Sequence, residues 1–520
     1  MVLQLPFPKL FRSYIVIMSM SRTQKSAWNV ASGLVFTVVS LSAAFFATPW
    51  LLHWLGSERF GTFKVLMDWM GYLALFEWGL GGALMTCLAL KISHGDKSEV
   101  RSYLTAGMQA YLWVMPAMLI IGIGLVVALP NIVELEEATS YELLISGLIY
   151  LLPVLLTPLY IFRSLAEARQ RNYILSLLMT IQTIVTTGLL IATAWAGWGL
   201  PGQSLSIAVA QIPAVLILMW DGIRGYGPIW PSPPNSSAKK ELWSLSWPTF
   251  VHGVTERIGI VGDNVIIGWI LGPVAVVPFY LTQRLASLVK SQLYSLGNST
   301  WAALVNLYSQ GQISTFRSRL LELTNAISGL GVALLGPIAA FNHHFISRWV
   351  GYSNFAGDAV NIIACINIWL WSIYSLWGWP VFGTGHIRLW IPYAVVFTVI
   401  NVTLSIVGTL ALGLIGPLLG TLISFLIINS WALPRILNQI FELSPWVLWQ
   451  TALAPLTWGL PYSIILWLIA KTHTPSGWLV LAAEMGLSSL CGLFLWWNLS
   501  LNDDSRKQWR SRLRIVLGSY

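Results

Sequence analysis

Several ionisable residues of this chain lie inside long apolar stretches, where a charge is costly unless it is paired or hydrated. Three of these residues are bases on two neighbouring stretches. Buried bases favour an anionic substrate such as a diphosphate, because arginine and lysine bind such anions through charge-assisted hydrogen bonds. The alternative is that the charges form static ion pairs between helices. The candidates are Asp68, Glu77, His252, Glu256, Arg257, Asp263, Arg284 and Lys290.

One of these stretches distributes its polar residues unevenly if it forms a single helix. At about 100° per residue, His252, Glu256 and Asp263 lie within about 40° of one another. Arg257 and Asn264 point about 120–140° away from that face. The spacing therefore predicts a polar seam that faces an interior. His252 is either a satisfied core histidine or, beside Glu256, part of a proton relay.

Glu77 lies near the middle of a predicted span at 64–90. It is followed by Gly79, Gly81 and Gly82, which permit close helix approach or a local break in the helix. We expect Glu77, together with Asp68 and the polar seam, to carry conformational or proton coupling.

The composition limits the class of protein. Hydrophobic residues make up 56% of the chain and charged residues only 9%, which excludes a soluble globular protein. Apolar stretches of about 20 residues recur along it, and each is long enough to cross a bilayer as a helix. The sequence predicts an all-α polytopic membrane protein with about fourteen transmembrane helices, because helices satisfy their own backbone in lipid.

Basic residues predict the orientation in the membrane. With the N-terminus in the cytoplasm, 22 of the 29 lysines and arginines fall in cytoplasmic segments. This asymmetry predicts a multi-pass membrane protein with both termini cytoplasmic. The net charge of +9 then reflects topology and contact with anionic membrane lipids, not nucleic-acid binding.

The chain also contains an internal repeat. The skeleton S-x-G-x-x-S-x-x-R-S-x-L occurs at 93–104 and again at 309–320, an offset of 216 positions that also aligns Gly56 with Gly272. Matched patches in one order indicate an ancestral duplication, which is common in transporters. Two further pairs align at an offset of 214: Gly199 with Gly413, and Gly202 with Gly416.

The repeat predicts two six-helix lobes around a central cavity. Each half has an even number of spans, so the halves are expected to be parallel repeats. The offset of 216 aligns Asp68 with Arg284, which makes them candidates for an ion pair across the cavity. The predicted domains are an N-terminal arm (1–26), an N-lobe (27–222), a cytoplasmic linker (223–243), a C-lobe (244–434), a final helix pair (435–498) and a basic cytoplasmic tail (499–520).

Five segments resemble the polysaccharide-export flippases, the O-antigen translocase branch of the multidrug/oligosaccharidyl-lipid/polysaccharide exporter superfamily. The resemblance covers about residues 25–440, and the final helix pair agrees in number. The segments are Leu55–Gly61, Glu77–Ala83, Arg169–Arg171, Gly199–Gly202 and Gly413–Gly416.

The resemblance implies a transporter that moves an undecaprenyl-diphosphate-linked oligosaccharide between leaflets by alternating access, coupled to an ion gradient. We expect Arg284, with Arg257 and Lys290, to bind the diphosphate. The central acid of relatives is often aspartate, whereas here it is Glu77. Expected partners are the lipid-linked oligosaccharide, membrane lipids and proteins of polysaccharide polymerisation or assembly.

Catalytic and nucleotide-binding signatures are absent from the sequence, which contains no G-x-x-x-x-G-K-[ST] phosphate loop and no H-E-x-x-H helix. We therefore expect neither an enzyme nor a cofactor or metal site. Three alternatives remain. A drug/cation antiporter of the same superfamily would have twelve spans and an acidic cavity. A peptidoglycan-precursor (lipid II) flippase would have fourteen spans and a basic cavity. A non-transporting scaffold of polysaccharide assembly would tolerate neutralisation of every buried charge.

Overall fold

The fold is helical throughout the part of the chain that the computed structural model describes. Ten segments of that part are long and apolar enough to cross a membrane. The all-α polytopic membrane fold is thereby confirmed, while the count of fourteen spans and the lobe arrangement stay predictions. The described residues are 22–94, 96–133, 135, 137–169, 171–229, 236–501, 503 and 506–510. Most of the predicted N-terminal arm (1–26) and much of the predicted tail (499–520) lie outside them.

The chain forms two compact units. Unit 1 comprises the described chain up to Arg59 together with Trp69–Val254. Unit 2 comprises Phe60–Asp68 and the described chain from Thr255 onward. A short segment of the first helix is therefore part of unit 2.

Unit 1 is built from long apolar helices. Helix α3 packs against α2 and α4, and α7 packs against α4 and α6. Two 3-10 segments, Tyr72–Glu77 and Leu152–Tyr160, interrupt the α-helices. The helices are α1 (Arg22–Gly71, of which Phe60–Asp68 belongs to unit 2), α2 (Leu80–His94), α3 (Lys97–Ile132), α4 (Glu137–Tyr150), α5 (Ile161–Ala168), α6 (Asn172–Trp195), α7 (Gly199–Tyr226) and α8 (Ser236–Val261, which continues into unit 2).

Unit 2 is organised around a buried helix, α12, which packs against α11, α13, α18 and α19. Its helices are α9 (Asp263–Ile270), α10 (Pro273–Thr282), α11 (Arg284–Ser309), α12 (Ile313–Trp349), α13 (Asp358–Gly383), α14 (Ile387–Leu412), α15 (Gly416–Ser424), α16 (Ser430–Phe441), α17 (Pro445–Leu453), α18 (Leu456–Thr472) and α19 (Trp478–Leu495).

The predicted span at 64–90 is not one continuous helix. After the 3-10 segment that ends at Glu77, Trp78 and Gly79 adopt left-handed conformations with φ of 56° and 67°. Two successive residues in this region cannot continue a right-handed helix, so α2 starts afresh at Leu80. The local break that the glycines permit is therefore present.

Two further long apolar stretches of the sequence, 246–271 and 274–303, are also interrupted. The first is divided at Gly262, between α8 and α9. The second is divided at Gln283, between α10 and α11. Apolar periodicity does not report such breaks, because the residues on both sides remain hydrophobic.

Helical structure extends into the predicted linker at 223–243 from both sides. Helix α7 continues to Tyr226, and Arg101 donates to the Tyr226 carbonyl through Nε (3.1 Å) and Nη2 (2.7 Å). Helix α8 begins at Ser236, and Glu241 accepts a hydrogen bond from the hydroxyl of Tyr103. The predicted linker stays a prediction, since residues 230–235 lie outside the described residues.

Gly56 and Gly272, which the predicted repeat aligns, share a backbone conformation. Gly56 has φ 76° and ψ 168°, and Gly272 has φ 84° and ψ 164°. Gly199 and Gly413 also have positive φ, at 55° and 65°. Other residues avoid this region because of the Cβ atom, so each position requires glycine.

Helices α14 and α15 approach backbone to backbone. A Cβ on Gly416 would lie 2.1 Å from the carbonyl carbon of Gly408, and one on Gly420 would lie 2.6 Å from the amide nitrogen of Ser405. The amide of Asn401 donates to Thr421 Oγ1 at 2.9 Å across the same contact. Small residues and an interhelical hydrogen bond are the features that join helices in lipid.

Candidate functional site

Charged side chains of unit 2 gather where the end of α1 meets α9, α10 and α11. We call this set the unit-2 cluster. It unites four of the sequence-predicted residues with three that the sequence analysis did not assign to the site. Its members are Lys64, Asp68, Asp263, Asn264, Tyr280, Arg284 and Lys290.

Close helix packing brings the acids of the cluster together. A Cβ on Gly61 would lie 1.9 Å from the carbonyl oxygen of Pro273, so only glycine permits this approach. Asp68 Oδ2 accepts a 2.6 Å hydrogen bond from Asn264 Nδ2. Asp263 begins α9 and interacts electrostatically with Asp68.

Asn264 leaves one acceptor for another group. Its Oδ1 atom is buried and, within the described part of the chain, has no hydrogen-bond partner. This oxygen lies on the side chain that binds Asp68 and next in sequence to Asp263. Carboxylate and amide oxygens are ligands for protons or hard cations, so this part of the cluster is suited to coupling chemistry.

Lys64 lies among aromatic rings. Its Nζ atom is 4.6 Å from the ring centre of Tyr280, 5.2 Å from that of Phe60 and 5.9 Å from that of Phe63. Aromatic faces attract cations, so these rings hold the ammonium group without neutralising it. Lys64 was not among the sequence-predicted residues, because it lies at the edge of the predicted span at 64–90, where a lysine can reach the membrane surface.

A buried polar network positions Arg284. The Nδ2 atom of Asn342 donates to the carbonyl of Thr282 at 2.7 Å and to Asn361 Oδ1 at 2.8 Å. The Thr282 hydroxyl accepts from the amide of Ala356 at 2.8 Å. This network holds the chain where α10 ends, and Arg284 begins α11 two residues later, with its guanidinium 5.9 Å from the Tyr280 ring.

Lys290 lies on an aromatic platform. Its Nζ atom is 4.3 Å from the ring of Trp371 on α13. Tyr294, one turn further along α11, stacks on Trp371 with ring centres 5.5 Å apart and also contacts Trp379 edge-on. Lys290 is also in electrostatic range of Asp263, which links the platform to the acids.

The cluster carries more positive than negative charge. Its three cations, Lys64, Arg284 and Lys290, outnumber its two carboxylates, Asp68 and Asp263. The three cations are partly buried, and a charge in a partly buried site attracts an opposite charge more strongly than a charge at an open surface does. The cluster can therefore bind an anion at its bases and a proton or cation at its acids.

Glu77 belongs to a separate polar site in unit 1. Its carboxylate accepts a hydrogen bond from the hydroxyl of Tyr111, a fully buried residue of α3. A Cβ on Gly81 would lie 3.0 Å from Glu77 Oε1, so glycine leaves room for the carboxylate. Ser164 of α5 donates to the Gly81 carbonyl at 3.2 Å and completes this packing. Glu77 is thus held at the break between the 3-10 segment and α2.

The remaining predicted residues cannot be placed in either site. The side chains of His252, Glu256 and Arg257 lie outside the described residues, although α8 continues through them. The interruption at Gly262 puts Asp263 on a different helix, so the regular angular spacing behind the predicted seam does not extend to it. The Asp68–Arg284 pair across a cavity stays a prediction.

Solved transporter structures have a similar fold. A structure described as "Lipid II flippase MurJ, inward closed conformation" matches with a TM-score of 0.62 at 16% identity, over 91% of this chain and 98% of that one. An inward-facing multidrug resistance MATE family transporter of the MOP superfamily matches with a TM-score of 0.60 at 14% identity, over 78% and 99%. The chain thus shares the fold of these solved structures.

Sequence comparison identifies the family. Residues 26–302, more than half of the chain, match the family described as polysaccharide biosynthesis protein. The chain belongs to this family, as the sequence motifs indicate. The uncharacterized membrane protein EpsK of Bacillus subtilis (strain 168) is 20% identical over 469 residues, which cover 85% of this chain and 88% of that protein.

Proposed function

We propose that the protein is a flippase for an undecaprenyl-diphosphate-linked oligosaccharide in the bacterial cytoplasmic membrane, with both termini in the cytoplasm. The observation that carries the proposal is the excess of cations in the unit-2 cluster of a polysaccharide biosynthesis protein. A diphosphate needs several charge-assisted donors, and Arg284 and Lys290 supply them from one helix.

In this mechanism the two charged sites have different tasks. Arg284 and Lys290, with Arg257, bind the diphosphate, and Lys64 adds a further cation. Asp68, Asp263 and Glu77, with His252 and Glu256, respond to protons or cations and bias alternating access. An ion gradient then drives the net movement of the lipid-linked sugar, since a gradient can shift an equilibrium only through groups that bind the ion differently in two states.

Deletion of the gene tests the proposal. We expect surface glycan to be lost while its lipid-linked precursor accumulates on the cytoplasmic leaflet, where an added impermeant glycosidase cannot reach it in intact spheroplasts. Restoring the wild-type gene should make the precursor accessible and return the glycan. Normal surface glycan in the deletion strain would contradict the proposal.

A lipid II flippase is the second candidate, because the fold resembles a solved structure described by that name. Both substrates present a polyprenyl diphosphate, so the cluster does not separate them. The deletion strain described above distinguishes the two substrates. Accumulation of peptidoglycan precursor with normal surface glycan would favour the lipid II flippase, whereas the reverse pattern favours the oligosaccharide.

A further inference from the structure

Unit 1 contains a pocket that includes none of the residues discussed so far as substrate-binding. It has a volume of about 260 Å³ and lies between the 3-10 segment that ends at Tyr160, α5, α6 and α7. Pockets for drug-sized ligands span ~300–1,000 Å³, so this one is sized for a single ring. Its walls are mainly aliphatic, and Leu178 and Val215 are among them.

Two glutamine side chains line this pocket together with its aliphatic residues. Gln182 and Gln211 line it from near the middle of α6 and α7. Tyr160 donates a long hydrogen bond of 3.4 Å to Gln211 Oε1. That bond orients the Gln211 amide so that its two N–H groups remain for a ligand. Gln182 provides both a donor and an acceptor.

The charges at the pocket rim cancel. Nε of Arg163 donates to Glu167 Oε1 at 3.1 Å, one helical turn away. A ligand carboxylate or ammonium would lose its hydration in the pocket without gaining an unpaired counter-charge, because Arg163, which lines the pocket, is already paired with Glu167. Glu77 lies in electrostatic range of Tyr160 and adds a second carboxylate to the surroundings. A neutral ligand avoids this desolvation penalty.

We propose that this pocket binds one neutral sugar ring through an acetamido substituent. The acetamido carbonyl accepts from Gln211 Nε2, and the acetamido N–H donates to Gln182 Oε1. Its methyl group packs against the aliphatic wall that includes Leu178. An amide pairs with two amides in this way. A hydroxyl in its place could also donate and accept, but it would lack the methyl group that packs against the aliphatic wall.

The inference rests on the proposed function, since the ring would belong to the transported oligosaccharide. Binding of the free sugar is nevertheless measured without transport. A failure to bind would therefore contradict only the assignment of the pocket. Normal surface glycan in the deletion strain would contradict only the proposed flippase function.

Equilibrium dialysis of the full chain in lipid nanodiscs tests the assignment with radiolabelled N-acetylglucosamine. We expect saturable binding of one sugar per chain, at least about tenfold tighter than that of glucose, because glucose lacks the acetamido carbonyl and the methyl group. Glucosamine and glucuronate should also bind at least about tenfold more weakly, because each carries a charge. Equal affinity for glucose, or no saturable binding, would overturn the proposal.

A substitution in the pocket provides the second arm. Gln182→Leu should weaken N-acetylglucosamine binding at least about tenfold, because it removes the acceptor for the acetamido N–H. Gln450→Leu, at an exposed position of unit 2, serves as the matched control and should bind as the wild type does. If Gln182→Leu does not reach the membrane, Gln182→Asn is measured instead. Affinity within twofold of the wild type in the variant measured would refute the assignment.

Discussion

The Glu77 site of unit 1 and the unit-2 cluster share a framework but differ in charge. Both lie at helix interruptions, Glu77 just before one and Arg284 just after the other. Both follow glycines that the repeat aligns and that have nearly the same φ and ψ, Gly56 and Gly272. Unit 1 presents a carboxylate held by a phenol, whereas unit 2 presents an excess of cations. Two helix interruptions can thus hold two different chemistries.

Arg284→Ala is expected to have the largest effect, because it removes a cation from the cation-rich site. We expect glycan export to fall at least about tenfold with normal amounts of protein in the membrane, since the diphosphate loses charge-assisted bonds. Arg284→Lys should retain partial export, because the charge survives without the planar fork. Surface glycan and membrane protein are quantified in the deletion strain complemented with each variant.

A matched control exists for this prediction. Arg319 of α12 forms an ion pair with Glu322 at 2.6 Å and is not a member of the cluster. Arg319→Ala should leave export unchanged. Wild-type export by Arg284→Ala and Lys290→Ala alike would show that the unit-2 charges are structural pairs, and the proposed division of tasks would then be wrong.

Glu77→Gln is expected to have the next largest effect and to sharpen the contrast between the sites. Glutamine can still accept the hydrogen bond from Tyr111, but it no longer binds or releases a proton. We expect the transport rate to fall about tenfold, with binding of the lipid-linked substrate unchanged. Substrate affinity and flipping are measured in reconstituted vesicles at several pH values. Unchanged transport with an unaltered pH profile would exclude Glu77 from coupling.

The aligned glycines offer a test of the shared framework. An added Cβ meets no atom within 4 Å at Gly56 or Gly272, so Gly56→Ala and Gly272→Ala introduce backbone strain without a clash. Each should lower stability by about 1–3 kcal/mol, and by similar amounts. Gly188→Ala, at an open helical position without positive φ, is the control and should not destabilise. The stability of each variant is measured by thermal unfolding in detergent. Strongly unequal losses of stability for Gly56→Ala and Gly272→Ala would show that the two turns are not equivalent.

The smallest effect is expected at the start of α3, where the N-cap residue differs from the residue that the predicted repeat aligns with it at the start of α12. Asp96 caps α3 by accepting from the Ser98 amide at 2.8 Å and from its hydroxyl at 2.7 Å, and these bonds lower the pKa of its carboxyl. At the aligned position, Gln312 makes no such side-chain cap on α12. Asp96→Ala should therefore destabilise the protein slightly, and Gln312→Ala should not.

The Asp96 effect should also depend on pH. A carboxyl whose pKa is lowered on folding stabilises the folded state above its ordinary pKa, and this stabilisation is lost as the pH falls through the lowered value. The difference in Tm between the wild type and Asp96→Ala should thus be full at about pH 6 and shrink below about pH 4. A difference that is constant across this range would exclude the ionised cap.

Composition and charge placement anticipated the fold class and part of the site. Charges at membrane depth are costly, and Asp68, Asp263, Arg284 and Lys290 were selected as candidates for that reason. The structure brings these four residues into one cluster. It did not select Asn264, because an amide carries no charge.

The interruptions and the neighbouring contacts were beyond the reach of sequence patterns. The position of Arg284 depends on Asn342 binding the Thr282 carbonyl, a contact between residues far apart in the chain. Hydropathy likewise does not report that Trp78 adopts positive φ. The pocket lined by Gln182 and Gln211 could not be predicted from the sequence either, because its two amides come from different helices.

The contact between α14 and α15 has a consequence for biogenesis. Because Gly408, Gly416 and Gly420 let the two backbones touch, the pair forms a hairpin whose main contacts are internal. Such a hairpin can leave the insertion machinery as a preassembled unit before the rest of the polypeptide is synthesised. We therefore expect a bulky side chain at Gly416 to cause degradation of the nascent protein. It should not produce a full-length protein with slow transport.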